Sequence, residues 1–307
     1  MLDALAKEKK ALLFHGLSAF PITPADDNGR IEVDPLCRLL DRLSHAGVDS
    51  VGLLGSTGSY MYLARAERRR AMEAATECLG GRVPMIVSVG ALRTDDAQEL
   101  ARDAQAAGAD GLLLAPVSYT PLTDEEVFQH YSAVAGATDL PMCVYNNPGT
   151  THFSIGNALL ERLASVPNIV AVKNPAQPLP EMWATHEMLK AALPSDFAIG
   201  YSGDWNAPAA LLAGGAAWYS VVAGLLPEPS LKLTRAAEAG DTAEVERIDG
   251  CFAPLWALFK ELSSYRVVHA AANAMGLTNT RPPRPILPLT TADQERIIAA
   301  VHALDQV

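Results

Sequence analysis

The sequence predicts an α/β chain of the (β/α)8 TIM-barrel class with a C-terminal helical appendage. Strand-like and helix-like segments alternate eight times before residue 240. The strand-like segments are continuous apolar runs of about five residues, which is typical of parallel strands covered by helices on both faces. Eight such units in roughly 225 residues match the barrel. A doubly wound sheet is the alternative, but no GxGxxG turn follows the first strand.

The predicted strands are short apolar runs, and each ends at a turn or loop. The first stops before Pro21, and the second stops at the glycine-rich turn at 55–58. In chain order we predict strands at 17–20, 50–54, 83–89, 111–115, 141–145, 169–173, 197–201 and 218–222.

A predicted helix follows each of these strands. The first has leucines on one helical face between residues 36 and 43, and Gly47 ends it. The fourth starts at Thr123, with Glu126 three residues later, which is a capping box. In chain order we predict helices at 34–46, 64–79, 94–107, 123–135, 154–164, 179–192, 206–213 and 228–239.

Residues 241–307 have a helical pattern throughout, apart from a proline-rich connector at 281–288. We predict helices at 242–262, 265–274 and 291–305. At about 100–200 residues per domain, the length of 307 suggests two domains. The count of eight units instead favours one catalytic barrel at 1–240 and a C-terminal helical extension at 241–307.

Composition and charge exclude several classes of protein. The chain has 35 acidic and 24 basic side chains and a net charge of −11, which argues against a nucleic-acid binder. No uncharged apolar stretch reaches about 18 residues, so we expect no membrane partner. Residues 1–16 contain charges and no apolar run followed by a cleavage site, so we expect no signal peptide and a cytoplasmic location.

The four cysteines are far apart and follow no metal-ligand spacing. We therefore expect reduced, mostly buried thiols, and we predict no metal and no cofactor.

Chemistry in a barrel lies at the carboxyl ends of the strands, and four such ends carry candidate residues. Tyr119 follows the fourth strand, although by composition alone its loop is an ordinary turn. The second strand ends in Gly-Ser-Thr-Gly at 55–58, where Ser56 and Thr57 hydroxyls and backbone N–H groups could bind a carboxylate. The alternative is a plain turn that caps a helix. The fifth strand ends at Tyr145, which could move a proton or merely pack against the barrel rim.

Lys173, at the end of the sixth strand, is the most informative single residue. It is the only lysine between Lys10 and Lys190, and it follows an apolar strand. An amine removed from water gives up its proton more readily and can attack a carbonyl carbon to form an imine. The alternative is a structural lysine paired with a carboxylate. A carboxylate-binding turn, a tyrosine and a buried lysine on one barrel together indicate an imine site for a 2-oxo acid.

Several stretches resemble the dihydrodipicolinate synthase / N-acetylneuraminate lyase superfamily of class I aldolases. They are GSTG at 55–58, YNNP at 145–148, VAVK ending at Lys173, GLSAFPITP at 16–24 and PVSYTPLTDEEVFQHY at 116–131. The resemblance covers nearly the whole chain, including the C-terminal helices.

The resemblance implies a role for each matching residue. Lys173 would form a Schiff base with pyruvate or a related 2-oxo acid, and Tyr145 would move protons for the imine and carbon–carbon steps. Ser56 would relay a proton to Tyr145. Tyr119 would come from a neighbouring subunit and complete the relay. The carboxylate would bind the Ser56 and Thr57 side chains and the Gly58 backbone. The resemblance also implies a homotetramer, built as a dimer of dimers.

The sequence departs from the family pattern at a position that is expected to bind the second substrate. Synthases of this family have an arginine five residues after the tyrosine, and Thr150 stands there. Without a guanidinium to bind a second carboxylate, we expect a neutral, hydroxylated or aromatic partner.

We expect Thr150, Thr151, His152, Trp205 and Tyr219 to line the pocket for that partner. Loop caps, a solvated histidine and rim packing are the ordinary alternatives for these residues. Ser59 also stands where a Glu usually follows the turn, and Asn174 stands where a Glu, Asp or Ser usually follows the lysine.

The leading hypothesis is a Schiff-base aldolase or lyase that acts on a pyruvate-type 2-oxo acid and an aldehyde partner. Cleavage, dehydration and deamination would share the same imine. The alternatives are a 4-hydroxy-tetrahydrodipicolinate synthase, with another residue in place of the missing arginine, and a non-catalytic barrel that binds 2-oxo acids.

Overall fold

In the computed structural model, which describes residues 13–307, eight parallel strands form a closed barrel. Each strand pairs with the next along the chain, and the eighth pairs with the first. The strands are Gly16–Ala19 (β1), Ser50–Leu53 (β2), Met85–Ser88 (β3), Gly111–Leu114 (β4), Met142–Tyr145 (β5), Ile169–Pro175 (β6), Ala198–Ser202 (β7) and Ala217–Ser220 (β8). The predicted fold class is confirmed.

A helix follows each strand, and three more complete the chain. The barrel helices are Val33–Ala46 (α1), Arg65–Leu79 (α2), Thr94–Ala106 (α3), Asp124–Ala135 (α4), Asn157–Ala164 (α5), Glu181–Ala192 (α6), Ala207–Leu212 (α7) and Pro227–Glu238 (α8). The C-terminal helices are Thr242–Leu262 (α9), Ser264–Ala274 (α10) and Thr291–His302 (α11). A four-residue helical turn at Pro148–Thr151 was not predicted.

The strands are apolar throughout because each has two buried faces. One face points into the barrel, where Ile86, Leu113 and Cys143 form an interior cluster with the rings of Phe20 and Tyr219. The other face packs under the helices in the main hydrophobic core. The predicted helix signals are present: the α1 leucines are buried, and the Thr123–Glu126 capping box begins α4.

The C-terminal helices cover part of the barrel. Helix α9 packs against α8 and α10, and it buries Phe252 and Trp256, whose rings stack with centroids 4.7 Å apart. The connection from α9 to α10 turns at Ser263, a residue with a positive φ of 74°. This turn brings the start of α10 to the carboxyl ends of the strands.

One expectation about the cysteines is wrong. Cys37 on α1 and Cys78 on α2 form a disulfide, while Cys143 and Cys251 are free. The helices α1 and α2 pack side by side, so residues 41 positions apart come within bonding distance. Sequence spacing does not show this, because it is the packing of two helix faces that places the sulfur atoms together.

Two further expectations concern what the described residues lack. No helix between residues 13 and 307 is long and apolar enough to cross a membrane. Over the same residues, no group of three or more His, Cys, Asp or Glu side chains is placed to hold a metal ion. The expectation that the chain has no signal peptide was made from residues 1–16. Residues 1–12 of that segment lie outside the described part of the chain.

Candidate active site

Lys173 lies inside the mouth of the barrel, only 5% exposed. Strand β6 continues two residues past it, to Pro175, and parallel pairing sets Lys173 beside Tyr145 of β5. Its Nζ lies 4.0 Å from the ring centre of Phe20, 4.3 Å from that of Tyr145 and 5.5 Å from that of Tyr219. No carboxylate among residues 13–307 forms an ion pair with it. The structural alternative, a lysine held by an ion pair, is therefore not what the structure shows.

Phe20 is a site residue that the strand-end reasoning missed. Its ring fills a notch formed by β2 and the turn after it, where a Cβ on Gly52 would come within 2.2 Å of the ring and one on Gly55 within 2.6 Å. The ring can approach the backbone this closely only because both positions are glycine. The aromatic face that contacts the Lys173 ammonium is thereby fixed, and a cation over such a face is stabilised electrostatically.

The 55–58 turn faces the same cavity. Ser56 and Thr57 line it, and neither hydroxyl has a hydrogen-bond partner among the described residues. Both are therefore free to donate to a carboxylate. Gly58 lies behind them, and a Cβ there would meet Thr23 Oγ1 at 2.8 Å and Leu54 Cα at 3.0 Å. The turn is packed too tightly at Gly58 for any side chain.

Tyr145 also lies in the cavity wall, but its hydrogen bond differs from the expected one. The Asn147 side-chain amide donates to Tyr145 Oη at 2.9 Å, and no bond joins Tyr145 to Ser56. Because Oη accepts in that bond, its own proton is left to donate into the cavity. Asn147 also donates to Thr150 Oγ1 at 3.0 Å, so the loop after β5 holds the tyrosine in place.

These groups meet in one cavity of about 350 Å³ at the carboxyl ends of the strands. Its far wall comes from the C-terminal helices, which contribute Phe259, Ser263, Ser264 and Tyr265. Burial raises the pKa of Tyr265 to about 12, so its hydroxyl stays protonated. Sequence reasoning missed this wall, since nothing in a helical pattern tells which turn of a helix reaches the site.

The residues expected to line the second-substrate pocket divide into two groups. Thr150, Trp205 and Tyr219 line the cavity. Thr151 does not, because its hydroxyl caps the loop, with its one proton shared between the Asn147 carbonyl at 3.0 Å and the Phe153 carbonyl at 3.2 Å. His152 is exposed and ends the helical turn with a positive φ of 57°.

Tyr219 lies deeper in the barrel than expected. It is 1% exposed, and its hydroxyl is 3.5 Å from Cys143 Sγ. It therefore forms the floor beneath Lys173, not the rim of the pocket.

Tyr119 is 96% exposed and lies outside the cavity of its own chain. It stands in the loop between β4 and α4. Leu92, in the loop between β3 and α3, is another large apolar side chain exposed to solvent, at 68%.

Asp204 is a second residue that sequence reasoning missed. It is 2% exposed and accepts three hydrogen bonds, from Trp218 Nε1 at 2.9 Å, Val221 N at 3.3 Å and Val222 N at 2.8 Å. Burial raises its pKa, and these donors and the Lys173 charge act against that rise. The carboxylate therefore joins the loops after β7 and β8. The only sequence signal is its place three residues after a predicted strand.

Comparison with known proteins gives one family for nearly the whole chain. Residues 13–304 match the sequence model described as the dihydrodipicolinate synthetase family. A 4-hydroxy-tetrahydrodipicolinate synthase of Laribacter hongkongensis is 32% identical over 93% of this chain and 97% of its own length. One of Nitrosomonas eutropha is 33% identical over 94% and 98%.

Solved structures agree with this assignment. A dihydrodipicolinate synthase from Agrobacterium tumefaciens superimposes with a TM-score of 0.95 and 58% identity, over 96% of this chain and 99% of that one. One from Thermotoga maritima gives 0.89 at 26% identity, over 96% and 100%. The chain therefore belongs to the dihydrodipicolinate synthetase family, and it is a lyase of the Schiff-base-forming, class I aldolase type.

Proposed function

We propose that Lys173 is the nucleophile that forms an imine with a pyruvate-type 2-oxo acid. The observation that carries this proposal is a buried lysine amine that faces the catalytic cavity, surrounded by aromatic rings and without an ion-pair partner in residues 13–307. After the ammonium gives a proton to water in the cavity, the Nζ lone pair attacks the ketone carbon. Proton transfer from nitrogen to oxygen and loss of water from the carbinolamine then give the imine. The protonated imine draws electrons from the neighbouring bond, which lets a carbon–carbon bond form or break.

The substrate carboxylate binds the free hydroxyls of Ser56 and Thr57 and the Gly58 backbone. This turn carries no charge of its own, and the protein as a whole is acidic, so local donors have to hold the anion. The Lys173 iminium adds a positive charge next to the bound carboxylate. The two features together favour an acid whose carbonyl is adjacent to its carboxylate.

Tyr145 supplies the proton for loss of water and for the carbon–carbon step. The bond from Asn147 orients Oη and leaves the phenol proton free, as described above. Ser56 of the same chain and Tyr119 of a neighbouring subunit would complete the proton relay. Tyr119 in the loop after β4 and Leu92 in the loop after β3 are both exposed, which supports a subunit interface at these two loops. We therefore keep the homotetramer, a dimer of dimers, as a proposal that light scattering at several protein concentrations tests.

The second substrate is proposed to be an aldehyde without a second carboxylate. No arginine lines the cavity in the described part of the chain, and Lys173 is its one lysine. Thr150, Trp205 and Tyr265 offer hydroxyl, indole and phenol groups in its place. These groups suit a hydroxylated or aromatic partner better than a dianion.

The alternative function is that of a 4-hydroxy-tetrahydrodipicolinate synthase, which the names of the relatives favour. Two assays separate the two functions. The first measures condensation of pyruvate with aspartate semialdehyde, and the second measures pyruvate release from a panel of hydroxylated 2-oxo acids. A synthase rate equal to or above the best release rate would overturn the assignment of Thr150.

The imine itself is tested by borohydride reduction with pyruvate, followed by intact mass measurement. We expect one adduct per chain in the wild type and none in Lys173→Ala. A missing adduct in the wild type, or an equal adduct in the variant, would remove Lys173 from its role. The first of these results would also favour the non-catalytic barrel.

The cytoplasmic location stays a prediction. The Cys37–Cys78 disulfide counts against it, since such bonds are rare in reducing compartments. Alkylation of free thiols in freshly lysed cells, followed by mass measurement, decides whether this pair is oxidised.

A further inference from the structure

A second cavity of about 260 Å³ lies between the loop after β1 and the C-terminal helices. It shares no lining residue with the catalytic cavity. The two are neighbours all the same, because Ser59 lines the second cavity and its Oγ lies 2.6 Å from the hydroxyl of Tyr265, which lines the first. We call this second space the Thr23–His269 cavity, after the two residues described next.

Two buried polar side chains line this cavity without a hydrogen-bond partner. His269 is 3% exposed, and neither of its ring nitrogens has a partner among residues 13–307. Thr23 is also 3% exposed, and its hydroxyl has no partner either. Burial lowers the pKa of His269 to about 4, so the neutral ring presents one donor and one acceptor. Buried polar groups normally have partners, so these two indicate a polar occupant.

The mouth of the cavity carries charged side chains that form no ion pair within residues 13–307. Arg281 and Arg284 are exposed, and neither forms an ion pair or hydrogen bond with another described residue. Asp27 is exposed and likewise unpaired there. Asp26 differs, since its carboxylate accepts from the Asn28 and Arg30 amides of its own turn. Two guanidinium groups and one carboxylate are therefore available to a ligand.

We propose that the Thr23–His269 cavity is a second ligand site, for a small zwitterion of the α-amino-acid class with a polar side chain. Its carboxylate would bind Arg281 and Arg284, because guanidinium groups bind carboxylates strongly and with fixed geometry. Its ammonium would bind Asp27. Its polar side chain would reach Thr23 and His269, which need a donor and an acceptor. The volume is below the roughly 300–1,000 Å³ of sites for drug-sized ligands, which fits so small a molecule.

The test is calorimetric titration of the intact protein with L-serine. The comparison compound is (S)-lactate, which has a hydroxyl where serine has its amino group. We expect L-serine to bind with one site per chain and (S)-lactate to bind about tenfold more weakly, because it lacks the charge that meets Asp27. Binding does not depend on catalysis, so failure of the proposed function would leave this measurement unaffected.

Two variants and a control locate the site. Arg281→Gln/Arg284→Gln changes exposed side chains only, and His269→Phe removes both ring nitrogens from the cavity. Each should weaken L-serine binding about tenfold or more. Arg102→Gln, an exposed arginine on α3 outside this cavity, should leave binding unchanged.

Three results would overturn the proposal. They are an absence of heat with L-serine, lactate binding as tight as serine binding, and serine binding that the double arginine variant retains. The last result would place serine in the catalytic cavity.

Discussion

Replacing Asp204 by asparagine tests how the loops that carry the candidate active site are held. Oδ1 accepts from Trp218 Nε1 and Val221 N, and Oδ2 accepts from Val222 N. An asparagine can keep its oxygen at the Oδ1 position. Its NH2 group then faces the Val222 N–H at a separation that is now 2.8 Å, so two donors meet.

The expected loss follows from that geometry. Asp204→Asn removes one charge-assisted bond and leaves the Val222 amide without an acceptor in a buried place, which costs about 2–4 kcal/mol of stability. For a chain of this size the melting temperature should fall by about 3–6 °C. Trp205, the next residue, lines the catalytic cavity, so the KM of the second substrate should rise as well.

Asp249→Asn is the matched control. Asp249 is partly buried, and the hydrogen bond that its carboxylate accepts comes from Trp256 Nε1 at 2.8 Å. The asparagine oxygen preserves that bond, so we expect a change below about 0.5 kcal/mol. Differential scanning calorimetry of the three proteins at pH 7 gives the comparison. Equal melting temperatures for Asp204→Asn and the control would refute the claim that the carboxylate holds the loops.

Four other predictions concern single positions. Tyr145→Phe should lower kcat about 100-fold or more while borohydride still traps the imine, and a kcat within about threefold of wild type would contradict its role as proton donor. Gly58→Ala should raise the KM for the 2-oxo acid about 10- to 100-fold, whereas Gly250→Ala, where a Cβ meets nothing within 4 Å, should not; equal KM values would remove the turn from carboxylate binding. The pKa of His269 is about 4 in the fold against 6.5 in the unfolded chain, so the unfolded state binds the proton first as pH falls. Stability should decline by up to about 3 kcal/mol between pH 6.5 and 4, and His269→Phe should show a smaller decline in urea titrations. Cys37→Ser should lower stability by about 2–4 kcal/mol, because the Cys37–Cys78 bond closes a long loop; an unchanged urea midpoint would show that the bond does not form in solution.

The barrel could be predicted from the sequence because its elements are locally encoded. Each strand lies between the barrel interior and a helix, so it is apolar at every position and short. The capping box at Thr123 and the glycine at position 47 fix helix ends through bonds that span three or four residues. Such signals do not depend on the rest of the fold.

The candidate catalytic cluster was partly predictable for a related reason. In a barrel the carboxyl ends of all strands lie on one side, so residues at those ends converge whatever their distance along the chain. The pairing of Tyr145 with Lys173 follows from this rule. The partner of the Tyr145 hydroxyl does not, since Asn147 and Ser56 line the same cavity and only the side-chain geometry shows that Asn147 donates to it.

The sequence by itself therefore determined the barrel, the helical extension, and the residues that stand at the strand ends, because local periodicity and turn chemistry encode them. Only the tertiary structure decided what surrounds those residues. It placed Phe20 in a glycine notch under Lys173, brought Tyr265 of a C-terminal helix to the cavity, and buried Asp204 between two loops. It also joined Cys37 to Cys78. Each of these contacts links residues on different elements, and their geometry arises from packing that no local pattern records.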